Sequence, residues 1–212
     1  MTIPTLFLLA QVVFFTPPKD WLIIEPKNQP KEIAIGFVEP AKNYPSSMNM
    51  AIEKTDASLK QYVHAVKTLY QHKRNQTLRD LGPLTLPSGK GHLLEIDTQT
   101  SHGVFRQLQL LYANQNEIII LTSASQEKKF LTIKDQILAS LKSLTIAEDI
   151  LDTLTADEKH KIESYVAHLK QEKINEKEFL EKYALFLHNE FSQKGSFWEL
   201  LMLKKISQAV KS

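Results

Sequence analysis

Imidazole and carboxylate side chains gather at four nearby positions, His92, Glu95, Asp97 and His102. Histidine nitrogen and carboxylate oxygen are the donors from which a divalent metal site is built. The spacing works against one here. In a strand successive side chains point to opposite faces, so Glu95 and Asp97 share a face that His92 does not. His160 and His168, eight residues apart on a predicted helix, lie roughly 12 Å from each other along the axis, too far to share an ion. His64 and His72 have the same separation. No metal ligand is assigned.

Other chemistry-bearing patterns are equally incomplete. Gly89, Lys90 and Gly91 hint at a phosphate cradle, but neither a P-loop nor a dinucleotide fingerprint surrounds them, and a hairpin turn is the expectation. There is no Gly-x-Ser-x-Gly elbow and no His-Glu-x-x-His helix. The chain has no cysteine, which removes a thiolate nucleophile, a thiolate metal site, a disulfide framework and a lipid-attachment cysteine. Asn75 to Thr77 forms a glycosylation sequon, a pattern short enough to arise by chance. No catalytic residue and no cofactor follows from these residues. With 26 basic and 24 acidic side chains the net charge is +2, so no nucleic-acid-binding face is expected. Lys128 with Lys129, and Lys204 with Lys205, read as solvated helix faces, since a membrane-surface role needs a longer basic run.

One set does carry a functional reading. Phe179, Tyr183, Phe186, Phe191, Phe197 and Trp198 are dense for so charged a segment. Such rings build either a helical core or an aromatic-anchored protein interface.

The elements that must position these groups are legible from periodicity. Residues 104–112 alternate, with Val104, Leu108, Leu110 and Tyr112 on one face and Phe105, Gln107, Gln109 and Leu111 on the other. A turn at 113–116 leads to residues 117–122, β-branched and apolar on both faces, as in a central strand. Ser123 and Gln126 have capping-box spacing ahead of a helix whose stripe is Phe130, Ile133, Ile137, Leu141 and Leu144. Upstream, residues 22–24, 32–38, 48–53, 78–86 and 93–98 read as strands, with 78–86 interrupted by Gly82 and Pro83. A helix capped by Asp56 or Ser58 carries Leu59, Tyr62, Val63, Val66, Leu69 and Tyr70. Beyond residue 146 the chain turns charged and helical. Thr155 with Glu158, Asn175 or Glu176, and Ser196 with Glu199 mark three helix starts. Residues 3–15 are apolar but too few to span a bilayer and lack a basic flank. They read as a core strand, with a membrane-associated or export segment as the alternative.

The loop with Pro18 and Trp21, the run from Asn116 to Ser123 with Glu127 and Phe130, and the helix end from Ile137 to Leu144 resemble the PsbP/DcrB-like superfamily. The likeness covers about residues 1–146. It implies an α+β fold, an antiparallel sheet flanked by helices as an α-β-α sandwich, and a non-catalytic binding or assembly role. Residues 147–212 would then form an all-helical extension. Family members share the scaffold and not a site, so no functional residue carries over. The sequence lacks the cleavage site and lipid-attachment cysteine of secreted members, and both the cytoplasm and the bacterial envelope fit it.

Taken together, the expected function is a non-enzymatic interaction or assembly module that binds a protein partner or self-associates. Two alternatives stand beside it. One is a small-ligand-binding protein or enzyme with a pocket between sheet and helices. The other is a secretion-type chaperone, although those are characteristically acidic and shorter.

Overall fold

A computed structural model describes residues 11–41, 43–172 and 174–211. In chain order the strands and helices are β1 (Val12–Phe14), β2 (Leu22–Ile23), β3 (Ile33–Val38), β4 (Ser47–Lys54), α1 (Leu59–Gln71), β5 (Gln76–Leu86), β6 (Gly89–Thr100), β7 (Gly103–Asn114), β8 (Glu117–Gln126), α2 (Glu127–Lys142), β9 (Thr145–Ala147), α3 (Ala156–Gln171), α4 (Glu176–Phe191) and α5 (Ser196–Lys211). They form two compact units. One is Pro17–Ser143; the other joins the described residues up to Thr16 to those from Leu144 onward. This grouping differs at the N-terminus from a division into 1–146 and 147–212. The cause is β1, which pairs antiparallel with β9 (Val13 opposite Ile146) and not with the large sheet. Of the apolar stretch 3–15, residues 3–10 lie outside the described residues. No described helix is long and apolar enough to cross a membrane.

The first unit is a seven-stranded antiparallel sheet in the order β2-β3-β4-β8-β7-β6-β5. Strand β8 sits between β4 and β7, and Ile118, Ile119 and Leu121 are buried, as its unbroken apolar run requires. Alternation sends Leu94, Leu111, Ile118 and Ile120 to the face that α1 covers, where Leu59, Tyr62, Val63 and Val66 meet them. Ser58 caps α1 with a complete capping box to Gln61. The α2 face carries Leu108, Leu110, Ile119 and Leu121. Helices on both faces of an antiparallel sheet make this the α-β-α sandwich expected.

One local expectation fails. Ser123 caps no helix. Pairing with both β4 and β7 extends β8 to Gln126, so Ser123 is a buried strand residue opposite Met48 and Leu108. Two ladders of backbone hydrogen bonds outcompete a single local cap, and α2 starts at Glu127 without a side-chain cap from Gln126.

Under α2 lies the sheet's main polar knot. Arg106 on β7 makes a bidentate pair with Asp97 (Nε to Oδ1 2.8 Å, Nη2 to Oδ2 2.7 Å) and reaches Glu127 of α2 at 2.9 Å. Its Nε lies 3.3 Å from Glu95, which also accepts from Arg79, and its guanidinium stands 5.6 Å from the Phe130 ring centroid. Glu95 is only 8 % exposed. A carboxylate so placed needs its cation, because desolvation penalises the lone charge. The pairing holds Asp97 below the ordinary carboxylate range and raises Arg106, chiefly through the hydrogen bonds between them.

The second unit is helical apart from the β1–β9 pair. Full capping boxes open α3 (Thr155 with Glu158) and the short 3-10 turn Ile150–Thr153 (Asp149 with Asp152), and Asn175 caps α4. The rings pack in a chain: Tyr165 stacks on Phe186 at 4.0 Å, Phe186 meets Phe191 at 5.8 Å, and Phe191 meets Trp198 at 5.6 Å. Phe15 closes on Phe197 at 5.6 Å, and Trp198 Nε1 donates to Thr153 Oγ1 at 3.0 Å. Tyr183 is fully buried, and among the described residues its hydroxyl has no hydrogen-bond partner.

Two stability outcomes follow. Arg106→Leu leaves Glu95 buried without its inner cation and lowers unfolding free energy by about 3 kcal/mol in urea titration. A loss under about 1 kcal/mol would show that Arg79 alone suffices. Tyr183→Phe removes an unpaired buried hydroxyl and raises stability by about 1 kcal/mol, and a clear decrease would reveal a partner for that oxygen.

Candidate ligand site

On α1 the positions Lys60, His64 and Lys67 follow one another at four and three residues, and Leu59 and Val63 share the adjoining stripe. Asp80 comes from β5 and His92 from β6. Together these seven side chains line a cleft of about 510 Å³. A β-bulge aims the carboxylate. The β5–β6 register shifts between Asp80 and Gly82, with Asp80 opposite Leu94 and Gly82 opposite Leu93. Gly82 takes φ +82°, a conformation glycine adopts without penalty, and its N–H donates to Asp80 Oδ1 at 2.9 Å. One residue before His92 the backbone runs close to β7: a Cβ on Gly91 would stand 3.0 Å from the Leu111 carbonyl oxygen.

Asp80 is engaged at both oxygens. Lys67 Nζ donates to Oδ2 at 2.8 Å, and His92 Nε2 lies 2.6 Å from Oδ1. With a carboxylate as partner, Nε2 carries the hydrogen. The Lys67 hydrogen bond, joined by those from His92 and Gly82, outweighs partial burial and pulls the Asp80 carboxyl down to about 2. The group is therefore a fixed negative charge at any physiological pH. It orients Lys67 and His92 and carries no proton near neutrality. The pair His92–Asp80 has the form of a base held by an orienting carboxylate. No hydroxyl or thiol stands among the cleft's lining residues.

The residues singled out from sequence fall elsewhere. Glu95 and Asp97 point to the α2 face with Arg106, while His102 packs on Tyr44 at 5.2 Å. Among the described residues no three His, Asp or Glu side chains converge on a metal position. His160 and His168 are exposed. Of the six aromatics, Phe179, Tyr183, Phe191, Phe197 and Trp198 are buried within the helical unit and Phe186 is partly covered. Their rings face one another, which leaves the surface of that unit to other residues. A groove of about 410 Å³ opens there, floored by Leu151, Ile162, Val166, Met202 and Ile206. Its rim holds two ion pairs, Lys205 with Asp149 at 2.5 Å and Lys159 with Asp152 at 4.0 Å. The signal for the cleft was present in the sequence as Asp80, Gly82 and Pro83, a turn-like set inside a strand, but its partners lie 13 positions before and 12 after Asp80.

The Asp80 carboxyl is depressed in the folded chain, so its stabilisation is complete above the ordinary carboxylate value and is lost as pH falls through about 2. Its side chain is 32 % exposed, and screening limits the contribution to about 1 kcal/mol. Asp80→Asn should flatten the stability profile between roughly pH 4 and pH 2, read by thermal melts across that range. An unchanged acid slope would mean that the three donors do not favour the charged form.

No protein-family profile matches the sequence, and no curated protein matches it significantly. Solved structures do. The chain is similar to LpqN of Mycobacterium tuberculosis, a protein involved in cell envelope biogenesis, with a TM-score of 0.51 at 14 % identity over 65 % of this chain and 84 % of that one. It is also similar to CyanoP, the cyanobacterial PsbP of Synechocystis sp. PCC 6803, with a TM-score of 0.48 at 12 % identity over 69 % of this chain and 98 % of that one. At 14 % identity the likeness to LpqN is one of fold alone, an antiparallel sheet flanked by helices, and this chain adds a helical unit.

Proposed function

We propose that the chain is a non-catalytic binding module and that the cleft between α1, β5 and β6 holds a small ligand. One observation carries this: the cleft pairs an apolar floor with convergent charged groups whose carboxylate is locked by three donors. Binding pockets combine apolar lining with a few placed polar groups. General acids and bases instead need pKa values drawn toward the working pH. The resolved shifts here run the other way. Asp80, Asp97, Glu39, Asp149 and Glu158 are lowered by their hydrogen-bond donors against the opposing effect of burial, and burial raises the Tyr62 and Tyr183 phenols.

A second reading, assembly with a protein partner, is favoured by the groove of the helical unit. A second copy of the chain is the occupant it suits, because α4 presents Leu185 at 62 % exposure as an apolar knob beside partly covered Phe186. If so, light scattering shows concentration-dependent association that Leu185→Lys abolishes. A full chain that stays monomeric at high concentration removes this reading.

The principal test is a screen of small-molecule mixtures against the isotope-labelled full chain by two-dimensional NMR, with each mixture recovered afterwards. Binders should shift amides at 59–67, 80–82 and 91–93 and come back chemically unchanged. Turnover of a bound compound would sink the non-catalytic assignment. Binders that shift only other residues would move the site elsewhere.

A further inference from the structure

Taking the cleft as the ligand site proposed above, we infer that its ligand is an amphiphilic monoanion, a carboxylate head on an apolar body. The charge of the lining decides the head. The fixed charges of the lining are those of Lys60 and Lys67, two positive, and of Asp80, one negative, which sum to one positive charge. Both Asp80 oxygens already have donors: His92 and Gly82 at Oδ1, and Lys67 at Oδ2. Lys60 makes no ion pair among the described residues, and Lys67 uses one of its three N–H donors on Asp80. The free hydrogen-bonding capacity of the two lysines therefore consists of donors alone. A monocarboxylate cancels the residual charge, whereas a phosphate monoester carrying about −1.5 to −2 overshoots it and adds repulsion with Asp80.

The floor decides the rest of the molecule. Leu59 and Val63 reach the cleft from a cluster that continues into Leu94, Leu111 and Ile118, so the surface beneath the charged heads is apolar. A head group alone would leave that floor wet, and about 510 Å³ is space for a body as well as a head. Covering Leu59 and Val63 with hydrocarbon adds the area-dependent term that an exposed charge pair in high dielectric cannot supply.

The experiment titrates the full chain with decanoate, decanol, decyl phosphate and acetate below their aggregation limits, reading amide shifts and affinities by NMR. Decanoate should bind more tightly than the other three and shift Leu59, Val63, His64 and His92. Lys60→Glu, a reversal on an exposed helical position, should weaken decanoate about tenfold or more while leaving decanol unchanged. Thermal melts of that variant, expected to match the parent, separate lost binding from lost fold. Decanol binding as well as decanoate, at these same residues, would keep the cleft as a ligand site and overturn the anionic head. Tighter binding of decyl phosphate would overturn the monoanion assignment. If none of the four probes moves a cleft amide, the amphiphilic-anion class is refuted, and the mixture screen above decides separately whether the cleft binds any ligand.

Discussion

Backbone register across β5, β6, β7 and β8 decides which face every charged side chain of the sheet occupies. Asp80 and His92 emerge toward α1, and Glu95, Asp97 and Arg106 emerge toward α2, because the side-chain period is two and the pairing is fixed. A slip of one residue would turn both sets over. Asp80 would lose Lys67, and Glu95 would be buried without Arg106. Apolar residues on both faces penalise that slip heavily, so the core and the two charge clusters are specified by the same constraint. Among the ladders joining β5 to β8, the bulge at residues 80–82 is the place where the register yields, and it yields beside the cleft.

The two clusters differ in what they do with charge. Beneath α2, Arg106 joins two carboxylates of β6 to a third at the start of α2, almost out of solvent. Its work is structural, tying helix to sheet where lone charges would be costly. Beside α1, Asp80 tethers Lys67 and His92 while all three keep contact with solvent. A charge fixed at an open cleft with unused donors around it can serve a ligand. A charge enclosed by its partners cannot.

In the helical unit the same economy of polar groups holds. Capping residues meet the helix-start donors of α3 and α4, Trp198 finds Thr153, and the rings fill the interior. Tyr183 stands out as a buried phenol whose hydroxyl lacks a partner among the described residues. The aromatic density that marked this segment is a consequence of building a core from three helices, each of which needs large side chains to span the space between axes.

Most strands, the helices, the caps at Ser58, Thr155 and Asn175, and the antiparallel sandwich were legible in the sequence. Each depends on period, capping chemistry or apolar runs that lie within a few neighbouring residues. Three things were not. The end of β8 depended on two flanking ladders that overrode the local capping pattern at Ser123. The position of β1 depended on β9, 133 residues away in the pairing of Val13 with Ile146. The cleft depended on bringing a helix, a bulged strand and its neighbour together, so that Lys67, Asp80 and His92 became partners. Residue type alone also could not say whether six aromatics face inward or outward, because interiors and interfaces select the same side chains. Local interactions wrote the elements into the chain; only long-range packing decided which charged groups would meet.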